Sequence, residues 1–324
     1  GSVGGEFISG ETPKGGGNFS FNHRNTWVNA FGNYSNHFGT WHNELYLYRE
    51  QSGNIYDQSS LMADDNNNHN FKLGADFFIN SKNTLGFVVD GRHAHGPWRN
   101  DARTDIANLN TPSSLDSILV ASNFVPQDRR NLNFNINYRY ADTLGREFTA
   151  DVNRGNYNFR ADSYQPNFYK DPTEQNILSQ KIYRNNTPTE IDMWIAKADY
   201  EQRLLKGKIG FGYKLSSVKT DNTFDFFNVI DGQHVIDIDE LVHAGYINYN
   251  IQVKKWGFQA GLRAEHTDWK GELTSLKPDG DEMHENKYLS WFPSAAVNFN
   301  MNDKNQFSLT YSRRIDRPNY RDLN

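Results

Sequence analysis

Residues 129–145 read RRNLNFNINYRYADTLG, with Leu132, Phe134, Ile136, Tyr138 and Tyr140 on one parity and Asn133, Asn135, Asn137 and Arg139 on the other. Successive side chains of a strand point to opposite faces, so this segment has one apolar face and one that hydrogen-bonds. The pattern recurs along the chain. Phe71, Leu73, Ala75, Phe77 and Ile79 oppose Lys72, Gly74 and Asp76; Ile209, Phe211, Tyr213 and Leu215 oppose Gly210, Gly212 and Lys214. Ile247 to Val253, Phe258 to Ala264 and Phe307 to Tyr311 behave alike, and Leu85, Phe87 and Val89 do so with Val88 as an interruption. A chain this regular in period two, without sustained helical periodicity, is all-β. Pro188 to Leu205 comes nearest to a helical pattern, yet Trp194, Ala196, Ala198 and Tyr200 fit a strand equally well.

The connections separate the two architectures that such faces allow, a soluble sandwich and a membrane barrel. Short turns fall at Asn25-Thr26, Ser81-Lys82-Asn83, Asp142-Thr143-Leu144-Gly145, Leu205-Lys206-Gly207, Lys255-Trp256 and Asn302-Asp303-Lys304. Long polar segments at 50–65, 96–128, 161–188, 229–238 and 271–286 alternate with them. A Greek-key sandwich mixes lengths at both ends. An antiparallel up-and-down transmembrane β-barrel, with short periplasmic turns and long extracellular loops, produces this order. The aliphatic alternation is also cleanest beside the short turns, as in Phe258 to Ala264 followed by His266, Thr267 and Asp268. A lipid-facing band near the periplasmic end predicts that. Counting gives about thirteen strands, within 12–14, if Ser2 to Gly10 is the first and Trp27 to Arg49 is not split in two. An odd count is expected of part of a larger barrel, with residues 1–324 forming one barrel domain.

Composition narrows the function classes. A formal charge of −5 and a pI near 6.1 give no basic footprint for nucleic acid. With no Cys, disulfides, thiolate metal sites and Cys nucleophiles are excluded together. Mean hydropathy is −0.81 despite 7 Trp, 17 Tyr and 22 Phe, and no apolar run approaches the roughly 20 residues of a spanning helix. A barrel strand needs only about 9–11 residues, half of them polar.

The closing segment FSLTYSRRIDRPNYRDLN (307–324) resembles the TonB-dependent-receptor-like outer-membrane β-barrel family common in Bacteroidetes. FKLGADFFINSKNTLGF (71–87), WGFQAGLRAEHTD (256–268) and YLSWFPSAAVNFNMNDKNQFSLTYSRR (288–314) are similar to the same family. Arg313, Arg314, Asp316, Arg317, Pro318 and Tyr320 form its signature here. The resemblance implies an outer-membrane location, a periplasmic plug before the barrel, further strands after it in a barrel of about 22, and uptake of a scarce solute (siderophore, glycan or peptide) energised by a TonB complex. Neither plug nor last strands are expected within these residues. A plug-less barrel serving as a scaffold or subunit beside other outer-membrane or surface lipoprotein subunits is the second reading. A soluble adhesin-like β protein is the third.

Asp90, Arg92, Arg139, Arg263 and Glu265 fall on the polar parity, and Arg314 and Asp316 on that of Ser312, so all seven are candidates for the lumen. They would pair with each other inside a polar barrel, Pro318 ending the ladder, or contact a plug or an anionic substrate. His93-Ala94-His95 places two imidazoles on one face where a strand is expected to give way to a loop; no third ligand has a rationale, so no metal is expected. Asp279-Gly280-Asp281-Glu282 with Glu285 lacks EF-hand spacing and reads as a solvated tip. Asn66 to Asn70 is expected to lead from a loop into a strand. Trp98, Trp269 and Trp291 with Tyr46, Tyr48, Tyr138, Tyr140 and Tyr288 are candidates for interfacial girdles against outer-membrane lipid and lipopolysaccharide. No G-x-S-x-G, H-E-x-x-H or phosphate loop is present, so neither a catalytic residue nor a cofactor is assigned, and the chain is read as a non-enzyme.

Overall fold

The computed structural model describes residues 1–227, 233–275, 280–302 and 304–315. Fourteen strands run β1 (Ser2–Ile8), β2 (Lys14–Arg24), β3 (Val28–Gln51), β4 (Asn54–Asn80), β5 (Asn83–Asn108), β6 (Leu115–Ala141) and β7 (Glu147–Lys170). They continue as β8 (Ile177–Asn186), β9 (Thr189–Leu204), β10 (Gly207–Phe227), β11 (Gln233–Val253), β12 (Trp256–Ser275), β13 (Glu282–Asn302) and β14 (Asn305–Ser312). All belong to one antiparallel sheet in chain order. Among the described residues β1 and β14 each pair on one side only.

β8 and β9 are two halves of one stave. Both lie between β7 and β10, β8 against Asp162–Lys170 and β9 against Glu147–Phe159. The break falls at Thr187-Pro188, where proline has no N–H for the ladder. The Thr187 amide still donates to the Ala161 carbonyl at 2.9 Å, and the Thr223 amide to the Pro188 carbonyl at 3.0 Å, so pairing continues across it. Among the described residues the sheet thus has thirteen staves, as the sequence count expects. The stretch from Pro188 is strand from Thr189 on, not helix, and β3 is one strand through Trp27–Arg49's span from Val28.

The sheet is a single layer. Among the described residues no strand approaches any but its ladder neighbours, so nothing stacks on either face. Leu262, on the apolar parity, is 41% exposed, while Glu265 and Thr267 on the other are 5% and 0%. A flat single layer would expose both faces alike; the polar parity therefore lines the concave side of a curved sheet. A face carrying Phe134, Ile136, Phe211, Ile247 and Phe258 with no protein over it is compatible with lipid and costly in water, by about 25 cal/mol per Å². No helix of the described residues is long and apolar enough to cross a membrane. This is an antiparallel up-and-down transmembrane β-barrel architecture.

One expectation is corrected. The long polar segments at 50–65, 96–128 and 161–188 are largely strand: β3 to β7 run through them with 24–27 residues each, and the connections there shrink to Ser52-Gly53, 109–114 and 171–176, whereas the segments at 229–238 and 271–286 fall partly outside the described residues. Asn66–Asn70 and His93–His95 likewise lie inside β4 and β5. Beyond the membrane both faces meet water, so side-chain alternation fades while the backbone ladder, which needs only mutual N–H and C=O pairing, continues. Among the described residues the tight turns at 25–26, 81–83 and 142–145 stand where expected, closed by side chains. Asn25 Oδ1 accepts the Trp27 and Val28 amides, and Asn80 Oδ1 those of Lys82 and Asn83.

Candidate functional site: the polar inner face

Register fixes which residues share the inner face. Asn133 pairs with Asp90 and Gly155, Asn135 with Asn153, and Arg139 with Thr84 and Thr149. The side chains then bond across the ladder. Asn133 Nδ2 donates to Asp90 Oδ2 at 3.0 Å, and Asn135 Nδ2 to Asp151 Oδ2 at 2.9 Å and Asn153 Oδ1 at 2.8 Å. Asn137 Nδ2 donates to Asn135 Oδ1 at 2.8 Å. The asparagine row thus bonds to both neighbours, Asn133 to β5 and the linked pair Asn135 and Asn137 to β7.

Of the charged candidates, Asp90, Arg92, Arg139, Arg263 and Glu265 stand on the same face by register. Arg92 Nε donates to Asn68 Oδ1 at 2.7 Å, and Arg139 pairs with Glu147 at 2.8 Å. Arg263 pairs with Glu265 at 2.8 Å and lies over the Tyr246 ring, 5.7 Å from its centroid. Arg313 and Arg314 are exposed beyond β14, the Arg313 amide reaching the Pro293 carbonyl at 3.1 Å. Asp316, Arg317, Pro318 and Tyr320 lie outside the described residues, as does Asp279.

A second inner cluster was missed by sequence reasoning. Lys197 Nζ lies 2.7 Å from Asp199 Oδ2, and the Tyr246 hydroxyl donates to the other Asp199 oxygen. With Glu147, Thr149, Gly210 and Asn248 they enclose a cavity of about 270 Å³. Gly210 lines it, and beside it a Cβ on Gly212 would press on Asp199 and Tyr246. The signal was Lys197, Asp199 and Glu201 alternating with Ala196, Ala198 and Tyr200, hidden by the helical ambiguity of that stretch.

Other candidates move. His93 and His95 lie on the outer parity, level with Gly91 and Val89, where His95 stacks on His69 at 6.4 Å and His93 bonds Asp128 at 2.9 Å. Among the described residues no group of three or more His, Asp or Glu is disposed to hold a metal. Trp98, Trp269 and Tyr288 register with inner residues, not with a lipid girdle: Trp98 pairs with Asp64, and Tyr288 with Thr267. Tyr138, Tyr140 and Trp291 keep the outer parity, as do Tyr46 and Tyr48 far above the apolar band.

Among solved structures the chain is similar to the outer membrane protease OmpT from Escherichia coli, at 11% identity and a TM-score of 0.33 over 88% of this chain and 97% of that one. It is similar to the translocator domain of autotransporter NalP from Neisseria meningitidis, at 10% identity and 0.31 over 90% and 84%. A third is the ferric yersiniabactin uptake receptor FyuA from Yersinia pestis, at 9% identity and 0.30 over 92% and 65%. No curated protein matches. The model of the outer membrane protein beta-barrel family matches residues 139–324, more than half of the chain. With its single curved sheet, uncovered apolar face and polar interior, the chain belongs to the outer membrane protein beta-barrel family and resides in the outer membrane.

Proposed function

We propose that the barrel is the conduit of an outer-membrane receptor of the TonB-dependent kind, taking up a scarce solute. The supporting observation is the inner face: hydrogen-bonding or charged on successive staves, with no strand touching another across it among the described residues. Barrels of about eight strands fill their interior with side chains, whereas wider ones leave room for water. Thirteen staves with a polar wall suit passage of a hydrated solute, and paired charges such as Arg139–Glu147 and Arg263–Glu265 keep that wall near neutral. Coupling to a plug and a TonB complex follows from the sequence resemblance at 307–324.

The test is growth. Cells lacking the protein should lose growth when iron is supplied only as a ferric siderophore, or when a glycan or a peptide is the sole source of carbon. The wild-type gene should restore it only while the TonB complex is energised. Unchanged growth on all three sources would overturn the receptor.

The wall above the membrane favours a second reading. β4 and β6 have 27 residues, where about 9–11 span the bilayer, so a paired sheet stands well clear of the lipid. Such a surface suits a scaffold for another outer-membrane or surface lipoprotein subunit. Stable copurification with one envelope protein, with uptake intact in its absence, would favour this role.

A further inference from the structure

The tight-turn rim repeats one arrangement six times. Each turn carries an exposed large apolar side chain: Trp27, Ile79, Leu144, Leu205, Val253 and Met301 in chain order. Each also carries an exposed cation within three residues of it: Arg24, Lys82, Arg146, Lys206, Lys254 and Lys304. By sequence, the residues between the strands at this end hold six Lys or Arg and two acids, whereas those at the opposite end hold six acids and one Lys. The chain as a whole is acidic, so the basic rim is not a consequence of composition.

The hairpin between β9 and β10 is built at a conformational cost. Leu205 and Lys206 have φ of +48° and +67°, the two-residue turn that Asn-Gly closes with least strain. A leucine there is unfavourable, and it leaves Leu205 80% exposed. Leu144, on the neighbouring turn, is 66% exposed. On the inner side of these turns Arg139, Arg203 and Lys208 line a cleft of about 740 Å³, so these three face away from the lipid. Some of the cations are already engaged: Arg146 pairs with Asp142 at 2.7 Å, Arg139 with Glu147, and Lys208 with Glu201. Among the described residues no ion pair holds the rim cations Lys82, Lys206, Lys254 or Lys304.

We propose that this rim is a collar that binds the anionic headgroups of glycerophospholipids in the periplasmic leaflet. The apolar side chains continue the lipid-facing band downward, and the cations meet phosphates one headgroup deeper, as snorkelling lysines do. A soluble acidic partner would need one patch; an arrangement repeated on every turn matches the one partner that surrounds a barrel on all sides.

The experiment is native mass spectrometry of the full chain released from nanodiscs of equimolar phosphatidylglycerol and phosphatidylcholine. The wild type should retain phosphatidylglycerol preferentially. A variant with Lys82→Gln, Lys206→Gln, Lys254→Gln and Lys304→Gln should lose at least about tenfold of that preference, given about fivefold per cation near a charged surface. Because those changes touch turns, a second variant guards against a folding artefact. Leu205→Gly with Lys206→Gly relieves the positive φ, so the hairpin should form at least as readily while the preference still falls. Equal retention of the two lipids by the wild type, or full preference in the fourfold variant, would overturn the collar. Binding of soluble polyglutamate without lipid preference would overturn it in favour of a protein partner.

Discussion

The lower and upper halves of the same strands obey different rules. Near the tight turns, β6 alternates Phe134, Ile136 and Tyr138 with Asn133, Asn135 and Asn137. Higher on β6, Val120 and Phe124 share a parity with Ser122 and Asp128, and the opposite face mixes Leu119 and Val125 with Asn123 and Gln127. Pairing of β5 with β6 runs through both halves, whereas β6 and β7 pair without a break only from Gln127 downward and skip Ser122–Asn123 and Val125–Pro126 above. The strand pairing thus outlasts the side-chain alternation, and the side chains record the solvent: hydrocarbon on one side below, water on both sides above. Ion pairs follow suit. On the upper outer face Arg103 reaches Asp105 at 2.9 Å and Arg184 reaches Asp162 at 3.0 Å, both well exposed and worth little individually.

The largest test puts a charge on the outer parity of each half. Ile136→Arg should cost about 2–4 kcal/mol near the bilayer midplane and block heat-modifiable folding into lipid vesicles. Val120→Arg, on the same strand and parity but in the upper wall, should change stability by less than about 0.5 kcal/mol. Equal effects would erase the division drawn here. A smaller loss is expected on the inner face, where Glu265 is nearly buried against Arg263. Glu265→Ala should destabilise the folded barrel by about 1.5–3 kcal/mol in urea titrations from vesicles. Arg139→Ala, whose pair with Glu147 is half-exposed, should cost no more than about 1 kcal/mol.

This division also explains what could be read from the sequence. The lower band was legible because lipid imposes period two: each tight turn and the faces of Ile136 and Leu262 follow from parity alone. The upper strands were mistaken for loops because no solvent contrast marks them; Asn66–Asn70 and 96–128 look like coil whenever only side chains are consulted. Inner residues such as Arg263 and Glu265 could be placed on the polar face, since their neighbours alternate cleanly. Their partners could not, since pairing depends on register between strands; Arg139 to Glu147 crosses a turn, and Tyr246 to Asp199 spans 47 residues. Lys197 and Asp199 were lost for a different reason, in that small residues at 196 and 198 satisfy helix and strand patterns alike.

The two ends of the barrel close their turns with the same device, and this gives the smallest effect. At the periplasmic end Asp142 Oδ1 accepts the amides of Leu144 at 3.0 Å and Arg146 at 2.9 Å, while Oδ2 receives Arg146 Nε at 2.7 Å. At the far end Asp171 accepts the amides of Gln175 at 3.0 Å and Asn176 at 3.2 Å without an arginine. Both carboxyls are held below the ordinary value, chiefly by the Arg146 amide in one turn and the Asn176 side chain in the other. Asp142 is brought from 3.8 to about 2. A carboxyl whose value falls on folding contributes stability above its unfolded value and loses it as pH drops toward the folded one. Protection of the Leu144 and Arg146 amides from hydrogen exchange, corrected for intrinsic rate, should therefore be constant above about pH 4 and fall between about pH 4 and pH 2. Asp142→Asn should remove that dependence while leaving the turn closed, because an amide oxygen still accepts both amides. The Asp171 turn should lose less protection over the same fall in pH, its loss ending at a higher pH than that of the Asp142 turn, since no guanidinium holds its charge; an equal loss at both ends would mean that the Arg146 guanidinium adds nothing to the cap.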